Sequence, residues 1–269
     1  MDTSTWLLPV SLTPARYLAG MITEYTVCTI MIFLVLDSIR LYLQKKNGTT
    51  IKITFVFCGF FIATMLTATG KMLVISGLLT YPIVEYHYFL DAFAFMSLLI
   101  SNTAFFLFTL DVFYTLHPSR KRIVVGVYLA FEALVGVIGG IVIGSEYAGV
   151  PQAQLLGLNM LLDGMIFGFS VFTYLLLAIR ALAVAKRASG ADRVFMRMIG
   201  LSGVFVIAFI LAFVSDVLNL FGLGNISVPY FIAWSFAVAA VFITRIGYFR
   251  PPWFIRRFIS PAAQASTAS

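Results

Sequence analysis

The chain reads as an all-α, polytopic membrane bundle of seven transmembrane helices, with its N-terminus outside and its C-terminus in the cytoplasm. Three observations predict this. Of 269 residues, 61% are hydrophobic and only 11% charged, against roughly a quarter charged in ordinary soluble domains, and the mean hydropathy is +1.00. Apolar stretches long enough to cross a bilayer occupy about 17–43, 52–79, 86–116, 122–145, 153–185, 194–222 and 228–248. Finally, 16 of the 18 Lys and Arg residues fall at or beside the connections after spans one, three, five and seven, and basic loops stay on the cytoplasmic side.

The chain then divides into an extracellular segment 1–16, a seven-helix domain 17–248, and a cytoplasmic interfacial segment and tail 249–269. No length remains for an extramembrane catalytic domain, so soluble enzyme, nucleic-acid-binding and disordered classes are excluded. The pI of 9.5 is a topology signal, aided by attraction to anionic inner-leaflet lipids, and the expected location is the cell membrane.

Taken in order, residues Met1 to Arg16 include Asp2 and two prolines and no basic leader, so span one is expected to act as its own insertion signal. Arg40, Lys45, Lys46 and Lys52 follow it. Span two carries Lys71, the one lysine outside the inner connections. Span three carries Asp91 and Asp111 and is followed by Arg120, Lys121 and Arg122. Span four holds Glu132 and the glycines Gly136, Gly140 and Gly144, whose spacing makes a close-packing face; an internal neighbour is the first expectation and a dimer contact the second. Span five contains Asp163 and ends in a basic turn of about ten residues with Lys186 and Arg187. Asp216 lies near the end of span six. After span seven, Arg250-Pro-Pro-Trp-Phe-Ile-Arg-Arg-Phe suits either a short helix or turn along the inner membrane face or a simple stop-transfer flank, and 260–269 is expected to be disordered.

Cys28 and Cys58 both sit inside apolar spans and read as small buried hydrophobes. His87 and His117 lie at opposite ends of span three, too far apart to share a haem or a metal. Neither His-Glu-x-x-His nor Gly-x-Ser-x-Gly occurs, so no enzyme and no cofactor are expected. The glycosylation tripeptides at Asn225 (outer) and Asn47 (inner) are weak signals.

A seven-helix, N-outside plan resembles both retinal proteins and G-protein-coupled receptors, yet the residues that define those families are missing. Tyr230 to Ile246 has no lysine for a Schiff base, Asp111-Val-Phe-Tyr stands where the receptors have Asp-Arg-Tyr, and span seven lacks Asn-Pro-x-x-Tyr.

An internal comparison is more informative. Ser38-Ile-Arg40 with Lys45-Lys46 and Asn47-Gly48 matches Ala178-Ile-Arg180 with Lys186-Arg187 and Ser189-Gly190; Phe61 to Leu66 matches Phe205 to Ile210, and Tyr88-Phe89 matches Tyr230-Phe231, at an offset of about 140. Spans one to three are thus expected to recur as spans five to seven with span four between them. This 3+1+3 plan resembles the broad group of seven-helix sugar transporters, opsins and sensory modules. More narrowly, Tyr174 to Phe221 resembles the last third of the seven-helix sensor regions that precede some prokaryotic histidine kinases. No kinase follows here, so the resemblance implies output to a separate protein through the inner loops, with Arg120, Lys121, Arg122, Lys186 and Arg187 as contacts.

Ionisable groups inside spans are costly and mark function. Glu24, Lys71, Asp91, Asp163 and Asp216 all fall toward the outer ends of their spans. They are expected to form an outward-opening polar pocket with Lys71 paired to Asp216, its near-equivalent in the repeat, or to Asp91, although side chains that snorkel to the interface would look alike. Glu132, roughly 15 Å into span four, has no basic residue at its depth and is read as a neutral acid bonded to a hydroxyl or as a proton site, because an isolated buried carboxylate neutralises. Asp37 with Arg40, and Asp111 with the Arg120–Arg122 cluster, are expected as inner-face pairs. The expected function is receptor-like or sensory, with a small molecule or lipid read from the outer pocket; a parallel-repeat or proton-coupled transporter and an accessory subunit of a membrane complex are the alternatives.

Overall fold

The computed structural model describes residues 14–76, 85–150, 152–217 and 226–258, with the side chains of His87, Asp91, Glu146 and Asn159 among those outside the description. Seven long helices, α1 (Pro14–Lys45), α2 (Gly48–Ile75), α3 (Glu85–Phe113), α4 (Pro118–Tyr147), α5 (Gln152–Arg187), α6 (Gly190–Val217) and α7 (Val228–Phe249), precede a short α8 (Pro252–Phe258). All seven long helices contain a stretch apolar and long enough to span a membrane, so the chain is an integral multi-pass membrane protein. A helix satisfies every backbone polar group internally, which hydrocarbon demands.

Local chemistry sets the helix ends. Proline opens α1 at Pro14, α4 at Pro118 and α8 at Pro252, where its missing N–H costs nothing and its fixed φ is already helical. Asn47 caps α2: its Oδ1 accepts from the backbone N–H of Thr50 at 2.8 Å, the N-cap contact that satisfies an orphan donor. Arg250, left-handed at φ 48, ends α7 immediately before Pro251. The helices run on past the apolar stretches, so α1 joins α2 through only Lys46 and Asn47, and α5 joins α6 through only Ala188 and Ser189. The expected ten-residue basic turn is largely helix.

The bundle has two matched halves in its neighbour relations. α2 packs between α1 and α3, α6 packs between α5 and α7, α1 meets α7, α3 meets α5, and α4 lies against α3 and α5. A core of Leu34, Phe57, Phe105, Tyr174, Leu177 and Ile210 runs between the halves.

Glycine permits the closest approaches, though not where the spacing in span four suggested. A Cβ on Gly59 of α2 would lie 2.8 Å from Ser101 Cβ and 2.9 Å from the Ser97 carbonyl oxygen of α3, and Ser101 Oγ donates across this contact to the Val56 carbonyl at 2.8 Å. On α6, Gly203 faces the Tyr174 carbonyl oxygen of α5 at 3.1 Å in the same sense. A Cβ on Gly136, Gly140 or Gly144 would meet nothing among the described residues within 4 Å. The first expectation for that stripe, an internal neighbour, is therefore corrected: α4 buries Val135, Gly139 and Val142 against α3 and α5 and turns the stripe out of the bundle.

Candidate functional site

Near the end where the odd-numbered helices begin, three helices bring polar groups to one point. Lys71 Nζ of α2 donates to both carboxylate oxygens of Glu24 on α1, at 2.8 and 3.0 Å. Tyr230 of α7 donates its hydroxyl to Glu24 Oε1 at 2.6 Å. The ammonium also lies 5.7 Å from the centre of the Tyr230 ring, within cation–π range. Glu24 is 1% exposed and Lys71 7%, so neither reaches a surface. Val27, Met31, Ile226 and Trp234 close around the knot. In so dry a setting each charge depends on its partner, since removing one strands the other.

The carboxylate that meets Lys71 is thus Glu24, and the expected pairing with Asp216 does not form. Asp216, 3% exposed, is used differently. Its oxygens accept the backbone N–H groups of Ile226 and Ser227, each at 2.9 Å, and the Ser227 hydroxyl. It closes the start of α7 from the end of α6, where the N-cap Ser227 makes no side-chain cap of its own. This grip holds Ile226 at φ 54, a left-handed conformation that β-branched residues rarely adopt. Ile226 packs beside Gly20, whose Cβ would lie 3.2 Å from Ile226 Cγ2 and 3.4 Å from the Tyr230 hydroxyl. Asp216 therefore positions Ile226 and Ser227, which lead into α7 and Tyr230, one step removed from the ion pair. The expected repeat would set Asp216 opposite Lys71; its carboxylate instead faces Ile226 and Ser227 at the start of α7. Asp163 is half-buried on α5, and the side chain of Asp91 lies outside the described residues.

Glu132 sits half-buried on α4. Tyr128, one turn earlier, and Thr103 of α3 turn their hydroxyls toward it, yet Glu132 Oε1, the Tyr128 hydroxyl and the nearby Thr173 hydroxyl form no hydrogen bond among the described residues. Asn102 Nδ2 donates to Ser170 Oγ at 2.6 Å, joining α3 to α5.

At the opposite end, charge pairs tie helix to helix. Arg245 Nε of α7 donates to Asp37 of α1 at 2.9 Å, replacing the expected Asp37–Arg40 pair within one helix. Asp111 of α3 accepts from both Lys52 of α2 and Lys121 of α4, and Arg250 reaches Asp192 at 2.9 Å. Arg120, Arg122, Lys186 and Arg187 are exposed at this end. His117, the last residue of the link between α3 and α4, pairs with Ser119 of α4 at 2.7 Å.

Sequence reasoning isolated Glu24 and Lys71 because both are ionisable groups inside apolar spans. It missed Tyr230 and Ser227, whose hydroxyls give no such signal among so many aromatic and small polar residues. No family model, no curated protein and no solved structure matches this chain.

Proposed function

We propose that the chain is a receptor-like or sensory seven-helix protein of the cell membrane, with its N-terminus outside, that reads a small molecule or lipid at the Glu24–Lys71–Tyr230 end and signals through its basic cytoplasmic end. The observation that carries this reading is the buried knot itself. Lys71 and Tyr230 share one carboxylate, so α2 and α7 are both held through α1. A ligand that competed for Glu24 or Lys71 would loosen all three helices together. The same pair α1 and α7 is tied again at the far end by Asp37 and Arg245, so a shift along this seam would reach the basic face that includes Arg120, Arg122, Lys186 and Arg187. Differential contacts of this kind with two arrangements are what a ligand-driven switch requires. The bias of 16 of 18 basic residues toward one side supports the orientation, and the absence of a paired nucleophile and base in the sequence supports a non-enzymatic role.

Two other readings each have an observation in their favour. The matched halves, with α2 and α6 as central helices and two-residue links in both, fit parallel repeats and hence a small-solute transporter. The outward glycine stripe of α4 fits a subunit that packs against other membrane chains.

Native mass spectrometry of the chain extracted gently from its own membrane tests all three. A lone chain or homodimer carrying a stoichiometric small molecule or lipid, whose retention falls in Glu24→Gln, supports the receptor reading. A fixed set of other subunits overturns it in favour of the third. Solute flux into liposomes by the purified chain overturns it in favour of the second.

A further inference from the structure

The basic end holds a cleft of about 380 Å³ between α2, α3 and α4, within the roughly 300–1,000 Å³ of small-molecule sites. Its rim carries the cations Lys52, Lys121 and Arg122 against the single carboxylate Asp111. Asp111 binds both lysines, which fixes the two ammonium groups on one point from two helices and leaves the cleft with an excess of two positive charges. Arg122 is exposed beside them. The cleft also includes Pro118, the first residue of α4, so the positive end of that helix dipole faces the same space. The walls next to the cations are apolar, formed by Leu107 and Val125. One turn beyond Val125, Leu129, 45% exposed, continues this apolar wall along the same side of α4.

We propose that this cleft is a binding site for the phosphate headgroup of an anionic phospholipid. The phosphate sits among Lys52, Lys121 and Arg122, and an acyl chain lies along Val125 and Leu129. Basic pockets between helices at the cytoplasmic side recognise anionic headgroups in this way. A lipid, unlike free phosphate, also covers the apolar wall, and that contact favours the lipid as the source of the anion. The inference is independent of the signalling role, because none of its residues belongs to the Glu24–Lys71–Tyr230 knot.

The test uses the full chain exchanged into vesicles of phosphatidylcholine with and without phosphatidylglycerol, with retained lipid counted by native mass spectrometry. Phosphatidylglycerol is expected to be retained selectively, and Arg122→Gln, an exposed change that spares the ion pairs, is expected to lower retention roughly fivefold, the effect of about one surface cation. Asp111→Asn is expected to act in the opposite direction. Lys186→Gln with Arg187→Gln, charges outside the cleft, is expected to leave retention unchanged; an equal loss there would mean diffuse attraction and overturn the site. Displacement by inorganic phosphate as effective as by lipid would overturn the lipid as its ligand. Unchanged retention in both Arg122→Gln and Asp111→Asn would overturn the proposal outright.

Discussion

Glu24 and Lys71, 47 residues apart, face each other with Nζ 2.8 Å from Oε1 inside a bundle that exposes neither. Tyr230 completes the arrangement from the other half of the chain. Breaking one side of such a pair leaves an uncompensated charge in a medium that cannot solvate it. Lys71→Met is therefore expected to cost about 3–5 kcal/mol, and adding Glu24→Gln is expected to recover much of that loss. Adding Asp216→Asn instead is expected to recover nothing. Reversible unfolding in bicelles measures all three, and recovery by Asp216→Asn alone would sink the pairing.

Asp216 holds two buried backbone N–H groups and one hydroxyl at the start of α7. Asp216→Ala is expected to leave those donors unmet, at about 1–3 kcal/mol for each orphaned group. Hydrogen exchange gives the local signature: the Ile226 and Ser227 amides should exchange faster while the middle of α7 stays protected.

Two glycines inside apolar spans differ in their surroundings. Gly59→Ala drives a methyl group against the α3 backbone and is expected to destabilise by about 1–3 kcal/mol, as overpacking does. Gly140→Ala enters open space and is expected to leave the stability of the single chain unchanged. If Gly140→Ala weakens a dimer or larger assembly in native mass spectrometry, the outward stripe is that contact.

The Asp37–Arg245 pair joins the same helices as the knot, but its side chains are 32% and 40% exposed. Arg245→Gln is expected to cost under about 1 kcal/mol. A thermal shift as large as that of Lys71→Met would show that this end is dry in the membrane.

Cysteine labelling checks the orientation. In a background with Cys28→Ala and Cys58→Ala, Ser119→Cys and Ser189→Cys are expected to react only with reagent admitted to the cytoplasmic side, and Ser76→Cys only from outside. Labelling in the reverse sense would refute the positive-inside assignment.

Much of this architecture was readable in one dimension. Apolar runs marked every one of the long helices to within a few residues, since partition into hydrocarbon depends on local composition and not on partners. The flank from Arg250 was readable as a short helix or turn or as a simple stop-transfer flank, and within it Pro252–Phe258 forms α8. The capping role of Asn47 could have been read from its place before Gly-Thr-Thr, where a glycosylation tripeptide was noted instead.

What the sequence by itself determined is membrane insertion, the number of spans and the short list of costly charges, because each follows from the solvation of a residue and its near neighbours. Only the tertiary structure decided which charges meet. Lys71 had several carboxylates at comparable depth; the packing of α1 against α2 brought Glu24 to it, while the start of α7 claimed Asp216. The packing of α4 against α3 and α5 faced its glycines outward, and that of α2 against α3 left Gly59 to make the close contact. Depth along a helix is written in the sequence as a count of residues, but the direction a side chain points depends on which neighbour covers each face, and that is settled only when the helices pack.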